Sequence, residues 1–238
     1  MNEQPVERKS VSVVVPAWNE VDSITNVLEG LTSNLENYAD LEVVVVNDGS
    51  DDGTGRLVEE FAAKDRSIRV VKNHTRLGYG AALARGFEVA QNRFVAFIDG
   101  DGQIDPADVS RAVACFEPGV SAVIGRRRRR ADPNHRVLLG KLGTFIVRRF
   151  MGIEVTDMNA GLKVFDTDLC SLSNVRSRGG LVSMELVARA VKVGRVAEMS
   201  ILHHPRRSGE STGGSPRVLV GLVIDFVRLS REKSGEIC

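Results

Sequence analysis

Asp99 and Asp101 stand two residues apart in the run FVAFIDGDGQIDP (94–106), with Gly100 between them and Gly102 and Gln103 just beyond. In an extended chain, residues two apart share a face, so both carboxylates point to one place. The glycines let the backbone turn and a ligand approach closely. Two carboxylates and an amide are hard oxygen donors. Mg²⁺ or Mn²⁺ takes few such donors from a protein and keeps places for substrate phosphates. An ordinary acidic loop, with Asp105 capping the next helix, has the same composition. Support must therefore come from the rest of the chain.

Other apolar runs end in the same way. Val11–Val15 stops at Pro16, with Trp18, Asn19 and Glu20 in the loop that follows. Leu41–Val46 breaks into NDGSDDGT (47–54), which carries Asp48. Ile68–Val71 leads to a loop at 73–80 that holds Arg76 and Gly78. Carboxylates at the first two ends can accept hydrogen bonds from base N–H groups and ribose hydroxyls. For Asp48, turn formation and helix capping are the competing roles. LGYGAA (77–82) is a weak match to a Gly-rich phosphate loop, and the chain has no Walker Lys-Ser/Thr pair. Val120–Ile124 is followed by Gly125 and five arginines, Arg126–Arg130. The guanidinium fork suits phosphate, so at least one of Arg126 and Arg127 is expected to face one. The outer arginines are expected in solvent or at lipid headgroups. Aromatics are sparse around this run, and the net charge is only +1, which speaks against nucleic acid.

The elements that must position these groups are legible from their periodicity. Continuous β-branched runs read as strands buried on both faces. Helical spacing follows each of the first three. The first helix runs to about Leu35, with Asp22 as its expected cap. Others are expected near 55–64 and 81–91. This β-α-β-α-β-α-β order predicts a parallel sheet with helices on both faces and right-handed crossovers. Beyond the 94–98 strand, a helix from Pro106 to about Phe116 and a fifth strand at 120–124 are expected. Leu138–Met151 is amphipathic. Asp157–Phe165 reads as a loop entering a short strand. Val182–Val193 reads as a helix, with Glu185 and Arg189 spaced to pair, and Val196–Leu202 as a strand. Gly213–Pro216 is a candidate joint before an apolar helix, Val218–Leu229. The expected division is a polar tail (1–9), an α/β domain (10–212), and a C-terminal helix and tail (213–238). Three scattered cysteines offer no zinc or disulfide spacing, which favours a reducing compartment. MNEQPVERKS lacks a signal-peptide core, and no apolar run approaches the roughly 20 residues that span a bilayer. The expected location is cytoplasmic, with contact at the cytoplasmic face of a membrane through basic-flanked helices at 138–151 or 218–229, or through a membrane partner. Ordinary packing onto the core is the other reading of both helices.

VVVPAWNE (13–20), VVNDGSDDGT (45–54), NHTRLGYGAALARGF (73–87), FIDGDGQIDP (97–106), DMNAGLKVF (157–165) and PRRSGES (205–211) occur in one order. Together they resemble family 2 glycosyltransferases of the GT-A fold, and most of all the polyprenyl-phosphate (dolichol-phosphate) mannose or glucose synthases. The chain departs from that pattern at Trp18, Asn47, His203, His204 and 212–214. The resemblance implies an α/β GT-A fold with a Rossmann-like, mostly parallel central sheet and helices on both faces. It implies that Pro16, Asn19, Glu20 and Asp48, with Gly78 and Gly100, hold the nucleotide-sugar donor. Asp99, Asp101 and Gln103 would hold a divalent Mg²⁺ or Mn²⁺ and the donor diphosphate. Arg206 and Ser211 would close over the donor. Arg127, Arg136 and Lys163 would meet the acceptor, beside Asp157.

The implied reaction is inverting transfer of a hexose from a GDP-mannose or UDP-glucose type donor to polyprenyl phosphate. A phosphate monoester has a second pKa of about 6 and is largely dianionic at neutral pH, so arginines matter more than a base. A soluble hydroxyl acceptor is the alternative, and it would need a carboxylate base. Asp157 is the candidate, and a helix or turn cap is its other role. A non-catalytic nucleotide-sugar-binding regulator is a further alternative, against which the intact Asp99, Asp101 and Gln103 argue.

Overall fold

The computed structural model describes residues 9–128, 155–175, 177 and 181–206. The segments 138–151, 213–216 and 218–229, together with Arg129, Arg130, Arg136 and Ser211, lie outside the described residues.

The expected alternation is present. It comprises β1 (Ser10–Ala17), α1 (Ile24–Asn34), β2 (Asp40–Asp48), α2 (Thr54–Lys64), β3 (Ile68–Asn73), α3 (Tyr79–Val89) and β4 (Phe94–Ile98). There follow α4 (Ala107–Ala114), β5 (Val120–Arg127), β6 (Leu162–Asp166), α5 (Val182–Val193) and β7 (Arg195–Ile201). The seven strands form one sheet in the order β3-β2-β1-β4-β6-β5-β7. Among the described residues only β6 runs against its neighbours, β4 and β5, and the other pairings are parallel. The carboxyl ends of β1 to β5 and the amino end of β6 therefore share one rim, where ligands of open α/β sheets bind.

Alternation along each strand divides the core into two layers. Val13, Val15, Val43 and Val45 pack with Ile24, Leu28 and Leu31 of α1 and Val109 of α4. Val14, Val44 and Val46 face Leu83 and Phe87 of α3, in a layer that also holds Leu186 of α5. Both faces of the sheet are thus covered, which is why the strands read as unbroken apolar runs. The α3 contact is close: a Cβ at Gly86 would lie 2.2 Å from Val14 Cγ1. Gly86→Ala is expected to cost about 1–3 kcal/mol through overpacking. An unchanged urea midpoint would show that α3 can move away without penalty.

Asp22 is not the cap of α1. Ser23 precedes the helix without a side-chain cap. The Glu20 carbonyl instead accepts the N–H groups of Ser23 (3.1 Å) and Ile24 (2.9 Å). The Ser23 hydroxyl donates to the Gly100 carbonyl at 2.8 Å, so it fastens the first loop to the Asp99–Asp101 loop. Asp105 does serve α4, accepting the Ala107 N–H at 2.9 Å. Glu185 pairs with Arg189 at 2.6 Å as spaced, and also accepts the Ser177 N–H at 2.8 Å.

Candidate active site

The rim is built from loops that hold one another. Asn19 lies in the left-handed region at φ 56°. Its amide donates to Asp51 at 2.7 Å and accepts the Asp51 N–H at 3.0 Å. The Glu20 N–H donates to Thr54 Oγ1 and the Val21 N–H to Asp52 Oδ2. The loop after β1 is thereby zipped to the loop after β2. Asn19 acts here as a strut between loops, and Pro16 is buried inside β1 opposite Val46.

Asp48 is 3% exposed and does not cap the helix after it. Its carboxylate accepts Asn73 Nδ2 (2.7 Å) and the N–H groups of Leu77 (2.9 Å) and Gly78 (2.7 Å). A carboxylate offers about four lone-pair sites. Three are spent on shaping the 73–78 loop, which leaves one direction toward a ligand. Beside it, the Arg76 guanidinium lies 3.3 Å above the Trp18 ring centroid. This stacked pair joins the first and third loops. Its sequence signal is Trp18, one of the departures noted above.

The acidic centre follows β4. Tyr79, at the start of α3, donates its hydroxyl to Asp99 Oδ1 at 2.8 Å, although 44% of the residue is exposed. Burial, then the neighbouring Asp101 charge, raises the Asp99 pKa to about 7; the Tyr79 hydrogen bond, Lys163 and Arg127 oppose the shift. Burial and Asp99 keep the Tyr79 phenol well above its usual pKa, as suits a donor. Asp101 accepts the Gln103 N–H at 3.0 Å, and Arg206 Nη1 lies 3.7 Å from its Oδ2. The same guanidinium pairs with Glu20, so Arg206 bridges the first and fourth loops. Burial raises the Glu20 pKa against the pull of Arg206. The 203–206 segment reaches this place because His204 exchanges two bonds with Gln103. His204 N–H donates to the Gln103 carbonyl (2.8 Å), and Gln103 Nε2 donates to the His204 carbonyl (3.0 Å).

Two carboxylates that repel each other under the rim form a setting that a divalent cation would relieve. Among the described residues, no group of three or more His, Cys, Asp or Glu side chains could hold a metal. The two neighbouring carboxylates, Asp99 and Asp101, fit a cation that completes its shell with a ligand's oxygens, as Mg²⁺ does on phosphates.

On the other side of Asp99, Arg127 and Asp157 form a bidentate pair. Arg127 Nε and Nη2 each lie 2.8 Å from a carboxylate oxygen, and the Arg127 N–H donates at 3.2 Å. The side chains are only 6% and 12% exposed. Lys163 is buried beneath them, donating to the Ala160 carbonyl at 2.7 Å with its ammonium 5.0 Å from the Phe97 ring centroid. Burial lowers its pKa to about 8, against the opposing charges of Asp157 and Asp99. Lys163 is thus a charge under the floor, 1% exposed, and not a group on the rim. Arg126 and Arg128 are exposed. Sequence reasoning did not single out Tyr79 or Gly161 as site residues; both touch Asp99, and their partners are remote in the chain.

Residues 12–171 match the family model for Glycosyl transferase family 2. Dodecaprenyl-phosphate galacturonate synthase of Rhizobium johnstonii is 27% identical over 217 residues, covering 90% of this chain and 64% of its own length. This chain therefore spans a little under two thirds of that relative. Undecaprenyl-phosphate mannosyltransferase of Micrococcus luteus is 28% identical over 213 residues, covering 84% of this chain and 86% of its own. Among solved structures, glucosyl-3-phosphoglycerate synthase from Mycobacterium tuberculosis, in complex with Mn²⁺, UDP and phosphoglyceric acid, superposes with a TM-score of 0.66. It is 23% identical, and the match covers 90% of this chain and 78% of that one. At that identity the likeness speaks for the fold, which is GT-A.

Proposed function

Because this chain belongs to glycosyl transferase family 2, we propose that it moves a hexose, with inversion, from a nucleoside-diphosphate sugar to a polyprenyl phosphate. The observation that carries this reading is the fork between Arg127 and Asp157. A carboxylate held by both guanidinium donors is a poor proton acceptor, which suits a nucleophile that needs no base. A phosphate dianion is such a nucleophile. Two relatives named for polyprenyl-phosphate acceptors support the same choice. A soluble hydroxyl acceptor is the competing reading, and the pinned Asp157 counts against it.

In this reading Asp48, Glu20 and the stacked Trp18 and Arg76 receive the nucleoside. Asp99, Asp101 and Gln103 would hold Mg²⁺ or Mn²⁺. When bound, the metal offsets the negative charge that develops on the leaving diphosphate. Arg206, beside Asp101 and paired with Glu20, would meet that diphosphate, with Ser211 as a proposed neighbour. Arg127, held by Asp157, would meet the acceptor phosphate, and Arg136 is a proposed second contact. Holding the reacting groups in line supplies much of the remaining rate. Residues 10–212 would form the catalytic unit. Among the described residues no helix is long and apolar enough to cross a membrane. Contact with the lipid acceptor would fall to the basic-flanked segments 138–151 and 218–229 at the cytoplasmic face, or to a membrane partner.

The test is transfer of radiolabel from a panel of nucleotide sugars to undecaprenyl or dolichyl phosphate in detergent. Label is expected in the organic phase with Mg²⁺ or Mn²⁺ and not with EDTA. Metal-dependent donor hydrolysis without lipid labelling would overturn the acceptor assignment.

A further inference from the structure

The register of β6 sets a glycine beside the first aspartate. Leu162 pairs with Ile98 across the antiparallel β4–β6 ladder, so Gly161 falls opposite Asp99. A Cβ at Gly161 would lie 2.0 Å from Asp99 Oδ2 and 2.6 Å from Asp99 Cγ. No side chain fits in that space. Gly161 is not among the residues with positive φ, so its own backbone conformation does not demand glycine. The neighbours do: Asp99 first, and Ile104 Cδ1, which a Cβ would meet at 3.2 Å. On the opposite side, Tyr79 donates to Asp99 Oδ1 at 2.8 Å.

We propose that Gly161 and Tyr79 are positioning residues that grip the two oxygens of Asp99 and fix the direction in which its carboxylate points. The segment 157–165 then serves two sides. Asp157 holds Arg127 on the acceptor side, while Gly161, four residues on, shapes the donor and metal side. This rests on the proposed metal role of Asp99.

The test uses the full chain as Gly161→Ala and, separately, Tyr79→Phe, which deletes a hydroxyl and keeps the ring. Free Mn²⁺ is titrated by electron paramagnetic resonance in the presence of UDP or GDP, and steady-state constants are measured for donor and acceptor. Groups that orient metal ligands typically change affinity about 10–100-fold when removed. Each variant is expected to bind Mn²⁺ at least about tenfold more weakly, with an acceptor KM within about twofold of wild type. Wild-type Mn²⁺ affinity in Tyr79→Phe and in a folded Gly161→Ala would overturn the inference alone. So would a raised acceptor KM with Mn²⁺ affinity kept. Failure of the wild-type protein to bind Mn²⁺ with either nucleotide would overturn the metal role of Asp99 and this inference with it. If Gly161→Ala does not fold, as read by circular dichroism, Tyr79→Phe decides the matter.

Discussion

Asp101→Ala is expected to lower metal-dependent transfer by at least about 100-fold, the scale seen when one group that stabilises developing charge is removed. The fold should survive. Asp101 makes few protein contacts: it accepts the Gln103 N–H at 3.0 Å and lies 3.7 Å from Arg206. It is partly exposed. Removing it also deletes the like charge that helps raise the Asp99 pKa, so the change relieves repulsion inside the protein. The variant should therefore melt within a few degrees of wild type while losing Mn²⁺ binding. Turnover equal to wild type in the radiolabel assay would remove Asp101 from the metal site.

Arg127 is expected to behave differently, because its proposed acceptor role is joined to a structural pairing with Asp157. Arg127→Ala would take the bidentate guanidinium from the Asp157 carboxylate, which is 12% exposed. Breaking a buried pair from one side costs about 3–5 kcal/mol. Part of the lost activity would then be lost protein. Arg127→Lys separates the two roles, since it keeps the charge and loses the planar fork. That variant is expected to fold and to raise the acceptor KM at least about tenfold, the equivalent of one charged hydrogen bond of about 1.5–3 kcal/mol. A double change, Arg127→Met with Asp157→Leu, should recover much of the stability without recovering transfer. If Arg127→Ala melts like wild type and keeps its kinetics, the fork carries neither role.

Much of this arrangement was legible in the amino-acid sequence. The runs 11–15, 41–46 and 94–98 are apolar at nearly every position because helices cover both faces of the sheet. Their polar endings were visible as abrupt changes of composition. Glu185 and Arg189 could be paired because helical spacing makes them neighbours. The partners of Asp99 could not be read in this way. Tyr79 lies 20 residues before it and Gly161 lies 62 after it, and only the sheet order brings the three together. The same holds for Arg127 and Asp157, 30 residues apart. Asp48 was seen as an acceptor, but its actual donors, Leu77 and Gly78, belong to a loop after another strand. Asp22 misled because its type suits a cap. The Glu20 carbonyl takes the first N–H groups of α1, and the Ser23 hydroxyl is committed to Gly100.

The reversed direction of β6 has a consequence for how the two halves of the rim can vary. Because β6 lies between β4 and β5, its leading residues touch the carboxyl ends of both. Lys163 pairs across to Phe97 on one side and to Ile124 on the other. Substitutions at Asp157 or Lys163 should therefore combine non-additively with substitutions at Asp99, as residues of one contact network do. On the proposed assignment, acceptor range would not be retuned through this strand without altering the donor side as well. The exposed Arg126 and Arg128 lie beyond that frame, and on the same assignment acceptor preference would drift there while Asp99 stays intact.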